Sequence, residues 1–278
     1  MRSSWNTYST CEELRAIRGA AACAIVLGSG LSKLARGLES LARVPYARIP
    51  GFGRTSVEGH PGFVSLCRLA GAPVLLFAGR YHAYEGAGPD ALASPVLLAE
   101  YAGCSSIIVT QAAGSLTRRI PPRTWMLATD VIPFPSRSGL RFNREPFSGA
   151  SRGTGRSRAA PVVSKELSAA LRRSARAARI PVAEGVLCWT SGPTYETAAE
   201  ARAGALMGAD AATMSSYPEL LAARRIGIEA ACMSWITNHT ANISESRTAH
   251  AEVLDSGGEG ARSLRKLLAA FLSERGGA

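Results

Sequence analysis

The chain has 278 residues, 46% of them hydrophobic, and a formal net charge of +11. That apolar content supports a sizeable core and excludes general disorder. No apolar run approaches the ~20 residues of a membrane span, and residues 1–6 carry no signal-peptide apolar region, which points to a cytoplasmic protein.

Cys11, Cys23, Cys67, Cys104, Cys188 and Cys232 form no CxxC pair. Most sit in or beside apolar strand-like runs, so they read as reduced core residues and give no metal site. The positive charge invites a nucleic-acid partner, but aromatic residues are sparse between the charges, which disfavours that partner. A solvated basic surface, or attraction of a small anionic substrate, accounts for it better.

Residues 10–17 read as a helix, with Thr10 and Glu13 at capping-box spacing. Cys23–Leu27 reads as a buried strand running into Gly28-Ser29-Gly30, and residues 32–41 as a helix. Strand, Gly-Ser-Gly, helix is an anion-cradling order. The third glycine of a dinucleotide fingerprint is missing, because Lys33 stands there, so no dinucleotide is expected. Phe63–Leu69 and residues 73–78 read as paired strands. If the second strand continues through Arg80 and His82, both side chains face one way, a geometry for gripping an oxyanion; a surface pair is the competing reading.

Residues 91–101 read as a helix, and residues 105–110 as a buried strand ending in Gln111-Ala112-Ala113-Gly114-Ser115. A further strand lies within Trp125–Pro133. Residues 136–160 break the pattern: Ser, Gly and Arg dominate and the helical period is lost. This segment is either a loop or lid within the domain or an insertion without a role. Residues 164–178 form a basic amphipathic helix.

Val182–Trp189 reads as a strand, followed by Ser191-Gly192-Pro193-Thr194-Tyr195-Glu196-Thr197 and a helix. Thr194 is a candidate cap. Taken alone the heptad is an ordinary turn with a solvated Glu. Residues 209–216 hold a short strand, 217–225 a helix, and 229–236 a strand ending in Thr237-Asn238. His250 opens a last helix, expected to break at Gly257-Gly258 and resume over 263–272. Strands and helices alternate along one α/β domain, 1–278, with a central mixed β-sheet flanked by helices. Polar residues gather at strand C-terminal ends, where such sheets bind ligands.

Six motifs, in this order, resemble the trimeric purine nucleoside phosphorylase family, which includes methylthioadenosine phosphorylases. They are Leu27-Gly28-Ser29-Gly30-Leu31, Gly79-Arg80-Tyr81-His82-Ala83-Tyr84-Glu85-Gly86, Ala112-Ala113-Gly114, the heptad at 191–197, Met214-Ser215-Ser216-Tyr217-Pro218-Glu219 and Ile236-Thr237-Asn238. The resemblance covers roughly residues 24–135 and 183–255. It implies phosphorolysis of purine nucleosides, with inorganic phosphate as co-substrate, no metal and no organic cofactor, in a homotrimer.

By that resemblance phosphate is held by Ser29, His60, Arg80, His82, the Ala112 N–H and Ser215. Tyr84, Met214 and His250 line the ribose. Tyr195, Glu196 and Asn238 meet the base, and Asn238, Glu196 and His82 carry the chemistry. Asn238, in place of Asp, points to 6-oxopurine nucleosides, inosine and guanosine. A methylthioadenosine phosphorylase-like enzyme and a homologue that only binds nucleoside or phosphate are the alternatives. RNA binding through the Arg-rich segment ranks below these. The sequence departs from the family at Gln111, where Asn is usual, at Thr213, where Gly is usual, at Tyr217, and near Ala160, where a sugar-site Phe is missing.

Overall fold

In the computed structural model the described residues are 8–134 apart from 54, 56 and 58, together with 161–244 and 250–276; for residues 250–252, 254 and 276 only the backbone is described. The segment 136–160, its expected loop, and the Ala160 position lie outside them.

Among the described residues nine strands build one mixed sheet: β1 Cys23–Leu27, β2 Glu39–Pro45, β3 Phe63–Leu69, β4 Ala72–Ala78, β5 Ser106–Ser115, β6 Trp125–Pro133, β7 Val182–Trp189, β8 Ala211–Thr213 and β9 Glu229–His239. Their order is β2-β3-β4-β1-β5-β8-β7-β6-β9, and β5 also pairs with β9. The β5–β8–β7–β6–β9 strands therefore close on themselves, and β5 belongs to both the closed part and the open wing. β1 is parallel to β4 and β5, while β2, β3 and β4 run antiparallel in turn. All five residues of β1 are buried, as expected for a strand covered on both faces.

Helices α1 Pro89–Leu92, α2 Ser94–Tyr101, α3 Lys165–Ala177, α4 Ala198–Leu206, α5 Tyr217–Ile226 and α6 His250–Gly276 flank the sheet. Helix α3 follows the expected amphipathic rule. Leu167, Ala170, Leu171, Ser174 and Ala175 are its buried residues, one helical stripe, and Ser164 Oγ accepts from Leu167 N at 3.1 Å as its cap. Leu167 and Leu171 share a core with Leu264, Leu268 and Phe271 of α6. Residues of α2 and α5 pack in the other large cluster.

Several expectations need correcting. Residues 12–17 form a 3-10 helix whose N-cap is Cys11, with no side-chain cap bond. The helix expected over 32–41 is a 3-10 turn, Leu31–Ala35, followed by β2. Gly37, at φ 75°, ends the turn, and pairing with β3 then outweighs local propensity on a mostly exposed edge strand. Strand β5 runs on through Gln111 to Ser115, because β9 pairs along its whole length. Helix α4 is capped by Thr197, which accepts from Glu200 N at 3.2 Å while Glu200 bonds back to Thr197 N; Thr194 is not the cap.

Helix α6 does not break at Gly257-Gly258. These glycines are contact points: a Cβ on Gly257 would lie 2.6 Å from Gly30 Cα, and one on Gly260 2.9 Å from the Trp235 ring. Trp125 Nε1 donates to Ser263 Oγ at 2.9 Å and ties the same helix to β6. The helix thus lies directly against the Gly28-Ser29-Gly30 loop.

Candidate active site

The C-terminal ends of β1, β5, β7, β8 and β9 converge on one cavity of about 470 Å³. Its wall includes Ser29, His82, Ala112 and Ser215, and also Tyr195, Glu196 and Asn238. Strand β5 is its ruler. A Cβ on Gly28 would meet Gln111 Cα at 2.6 Å, so Gln111 abuts the Gly-Ser-Gly loop. Gly114 is in register with Asn238. Three residues of strand span ~10 Å, about the reach from an anion to a bound base.

At the Ser29 end, His82 is held by Glu85, whose Oε1 accepts from His82 N at 2.7 Å and lies 2.9 Å from Nδ1. An ionised carboxylate can only accept, so Nδ1 carries the proton and Nε2 is left for the cavity. His60, His82 and Tyr84 stack in succession, with centroids 5.1 and 4.9 Å apart. Burial pushes the Tyr84 hydroxyl up to about 12, so it stays a neutral donor.

Two expected phosphate ligands stand behind the wall. His60 Nε2 lies 3.1 Å from Ser29 Oγ, and its Nδ1 lies 3.1 Å from Arg80 N and 2.9 Å from Arg80 O. Burial first, then the neighbouring His82, lowers its pKa to about 3. A neutral His60 brings no charge to an anion; it clips the Ser29 loop to the segment after β4. Gly79, at φ 108°, makes room, because a Cβ there would lie 2.7 Å from His60 Cβ.

Arg80 is 1% exposed and points into the protein. Its Nη1 donates to Ser216 Oγ at 2.8 Å and lies 3.4 Å from a Glu219 carboxylate oxygen. Its Nη2 donates to the Thr110 and Val26 carbonyls. The expected alternation of Arg80 with His82 fails because β4 ends at Ala78 and the chain turns at Gly79.

At the other end, Thr190 Oγ1 donates to Glu196 Oε1 at 2.9 Å. Thr237 Oγ1 donates to Asn238 Oδ1 at 2.7 Å, and Asn238 Nδ2 donates to the His239 carbonyl at 2.9 Å. These bonds fix which way each side chain presents its oxygen. Gly192, at φ 66°, brings the heptad against Tyr84 and Met214, where a Cβ would stand 2.6 and 2.7 Å from their side chains. Tyr195 is 46% exposed, so it forms an open flank of the cavity. His250 starts α6, and its side chain lies outside the described residues; Val253, one turn on, lines the cavity.

The family model of the phosphorylase superfamily matches residues 22–273. The chain belongs to this superfamily. It is 35% identical over 245 residues to purine nucleoside phosphorylase 1 of Geobacillus stearothermophilus, covering 83% of each chain. It is 31% identical over 257 residues to the purine nucleoside phosphorylase of Mus musculus, covering 90% of this chain and 87% of the mouse protein. Crystal structures of the Schistosoma mansoni purine nucleoside phosphorylase, in complex with adenosine and with inosine, superpose with TM-scores of 0.85 and 0.82 at 28% identity. They cover 98% and 97% of this chain, and 96% and 95% of theirs.

Compared with the superfamily pattern, the departures are now located. Gln111 is 1% exposed and turns its amide away from the cavity, toward Ser216, Cys232 and Ser234. The amide end is thus spent inside the protein, while the residue itself still lines the cavity. Thr213 bonds the Ala112 carbonyl at 3.3 Å. Tyr217 is buried against Trp189, with ring centroids 5.5 Å apart. Sequence reasoning missed Thr240, Ser244 and Val253 of the wall, although Thr240 follows β9 directly and its position at a strand end was a usable signal. It also missed Ser216, whose positive φ of 75° is visible only in three dimensions.

Proposed function

We propose that this protein is a purine nucleoside phosphorylase acting on 6-oxopurine nucleosides, inosine and guanosine. The observation that carries this reading is the single cavity that holds Ser29, His82 and Ser215 together with Glu196 and Asn238, ~10 Å of β5 separating the two groups.

Phosphate sits among Ser29, His82, Ser215 and the Ala112 main chain. One of its oxygens attacks C1′ of the sugar as the C1′–N9 bond breaks, and the electron pair of that bond leaves with the purine. Glu196 accepts from the purine N1–H. Asn238 sits where charge grows on the five-membered ring, and stabilising developing charge is the larger part of such catalysis. The purine anion gains a proton as the hydrogen phosphate gives one up, so the products are the neutral free base and the ribose 1-phosphate dianion. Phosphate is both nucleophile and counter-charge to the cationic sugar, so holding it in place is the second task of the site. Tyr84 and Met214 cover the sugar, and His250 is assigned to its 5′-hydroxyl. No metal or organic cofactor enters the scheme. The working protein is proposed to be a cytoplasmic homotrimer; no described helix is long and apolar enough to cross a membrane.

The test is phosphate-dependent release of hypoxanthine from inosine by the purified protein. Release with inosine and guanosine and little with adenosine supports the reading. No release from inosine, guanosine, adenosine or methylthioadenosine overturns it. Light scattering tests the trimer.

A further inference from the structure

A chain of buried polar groups runs behind the Ser29 end of the cavity. Glu219 pairs with Arg80 at 3.4 Å. Arg80 Nη1 donates to Ser216 Oγ at 2.8 Å, and the Ser216 hydroxyl donates to Gln111 Oε1. Gln111 Nε2 then donates to Ser234 Oγ at 2.7 Å and to Cys232 Sγ at 3.2 Å. Every polar member is at most 1% exposed. A guanidinium only donates, so Ser216 accepts from Arg80; between Gln111 and Cys232 either group can donate, Nε2 to Sγ at 3.2 Å or Sγ to Oε1 at 3.4 Å.

We infer that Gln111 is a positioning residue for the phosphate end of the site. The inference rests on the phosphorolysis reading. Gln111 lies between Thr110 and Ala112 on β5, and both Gln111 and Ala112 line the cavity. Its amide reaches from there across to β9 on one side and to Ser216 on the other. Ser216 adopts φ 75°, a conformation that disfavours a residue with a side chain. Its hydroxyl bridges Arg80 and the Gln111 side chain, and its backbone carries Ser215, which faces the cavity. The strained turn is held by the hydroxyl together with the helix start, where Leu220 N donates to the Ser216 carbonyl at 2.9 Å. An Asn at 111 is one methylene shorter and cannot reach Ser216 and Ser234 together.

Gln111→Asn and Ser216→Gly test this, singly and combined. Glycine suits the positive φ, so Ser216→Gly cuts the chain while relaxing the backbone and separates positioning from folding. Each single variant is expected to raise the phosphate KM about tenfold, the scale of a lost bond to a charged group, with the inosine KM changed less than about twofold. The melting temperature of Ser216→Gly stays level or rises. Because both changes cut one chain, the double variant is no worse than the weaker-binding single variant. An unchanged phosphate KM in Ser216→Gly, multiplying effects, or an equal rise in the inosine KM overturns the inference. Calorimetric titration of the same variants with inorganic phosphate reads the same shift without turnover. Wild-type protein that binds phosphate but releases no base defeats the functional reading alone.

Discussion

Adjacent glycines in α6 give a sharp test of how the helix is seated. Alanine is favoured over glycine in a helix interior by about 1 kcal/mol. At Gly258 the new Cβ meets Lys33 Nζ at 3.5 Å and Cδ at 3.8 Å, an ordinary contact with a flexible side chain. Gly258→Ala is therefore expected to stabilise by about 0.5–1 kcal/mol. At Gly257 the Cβ would stand 2.6 Å from Gly30 Cα, 2.8 Å from its carbonyl carbon and 2.9 Å from its oxygen. Ordinary contact begins at 3.4 Å, so the helix and the loop must separate by about 0.8 Å, and both sides are backbone. Overpacking of this kind costs about 1–3 kcal/mol, which outweighs the propensity gain. The propensity gain is common to both, so the two variants should differ by the overpacking cost of about 1–3 kcal/mol, or roughly 2–12 °C in melting temperature. Gly30 adjoins Ser29, so Gly257→Ala should also weaken phosphate binding while Gly258→Ala should not. Scanning calorimetry and a phosphate titration of both read this out. A Gly257→Ala protein as stable as Gly258→Ala would refute the close seating of α6 on the loop.

Glu196→Gln should lower kcat/KM for inosine about 10–100-fold, the scale of a lost charge-assisted hydrogen bond, and leave the phosphate KM within about twofold; steady-state kinetics with each substrate varied separately checks it. Asn238→Asp keeps the acceptor that Thr237 meets but removes the donor, so the inosine-to-adenosine ratio of kcat/KM should fall about tenfold or more; an unchanged ratio removes Asn238 from base selection. His60 has a folded pKa of about 3 against 6.5. Below pH 6.5 the unfolded chain takes up a proton the folded chain refuses, so stability is lost as pH falls toward 3, by up to about 1.4 kcal/mol per pH unit. His60→Asn should show a shallower loss of melting temperature between pH 6.5 and 4.5, and equal slopes would falsify the buried neutral state.

What could be read from the sequence follows from how local each signal is. Strands β1 and β7 were legible because an apolar run, continuous in β1 and interrupted at Glu184-Gly185 in β7, ends in turn residues. Motifs at strand ends placed Ser29, Glu196 and Asn238 on one wall, since a parallel strand delivers its C-terminal residues to one edge. Strand β2 was not legible, because only Val44 of its seven residues is buried and its identity comes from β3. Gly257-Gly258 misled in the same way: a glycine pair reads as a break locally and as a close contact only once Gly30 is placed against it. The polar chain behind the wall was invisible. Its bonds join positions 136, 105 and 123 residues apart, and nothing in the motif Gly79-Arg80-Tyr81-His82 says that the arginine turns inward while the histidine does not.

That inward turn divides the cavity into two differently built ends. The phosphate end is backed by buried groups: Arg80, Gln111 and Ser216 are hydrogen-bonded to one another and Glu219 is ion-paired with Arg80. A change there removes a partner from a buried polar atom, so stability and phosphate affinity should fall together unless, as in Ser216→Gly, the backbone gains what the hydroxyl loses. The base end rests on Glu196 and Asn238, which are half-buried, and on Tyr195, which is 46% exposed. Removing their polar atoms strands little behind them, because water can replace the missing partner. Variants at the base end should therefore change selectivity and rate with the fold intact. Substrate preference is then the property this scaffold can alter most freely, and phosphate dependence the one most tightly tied to its core.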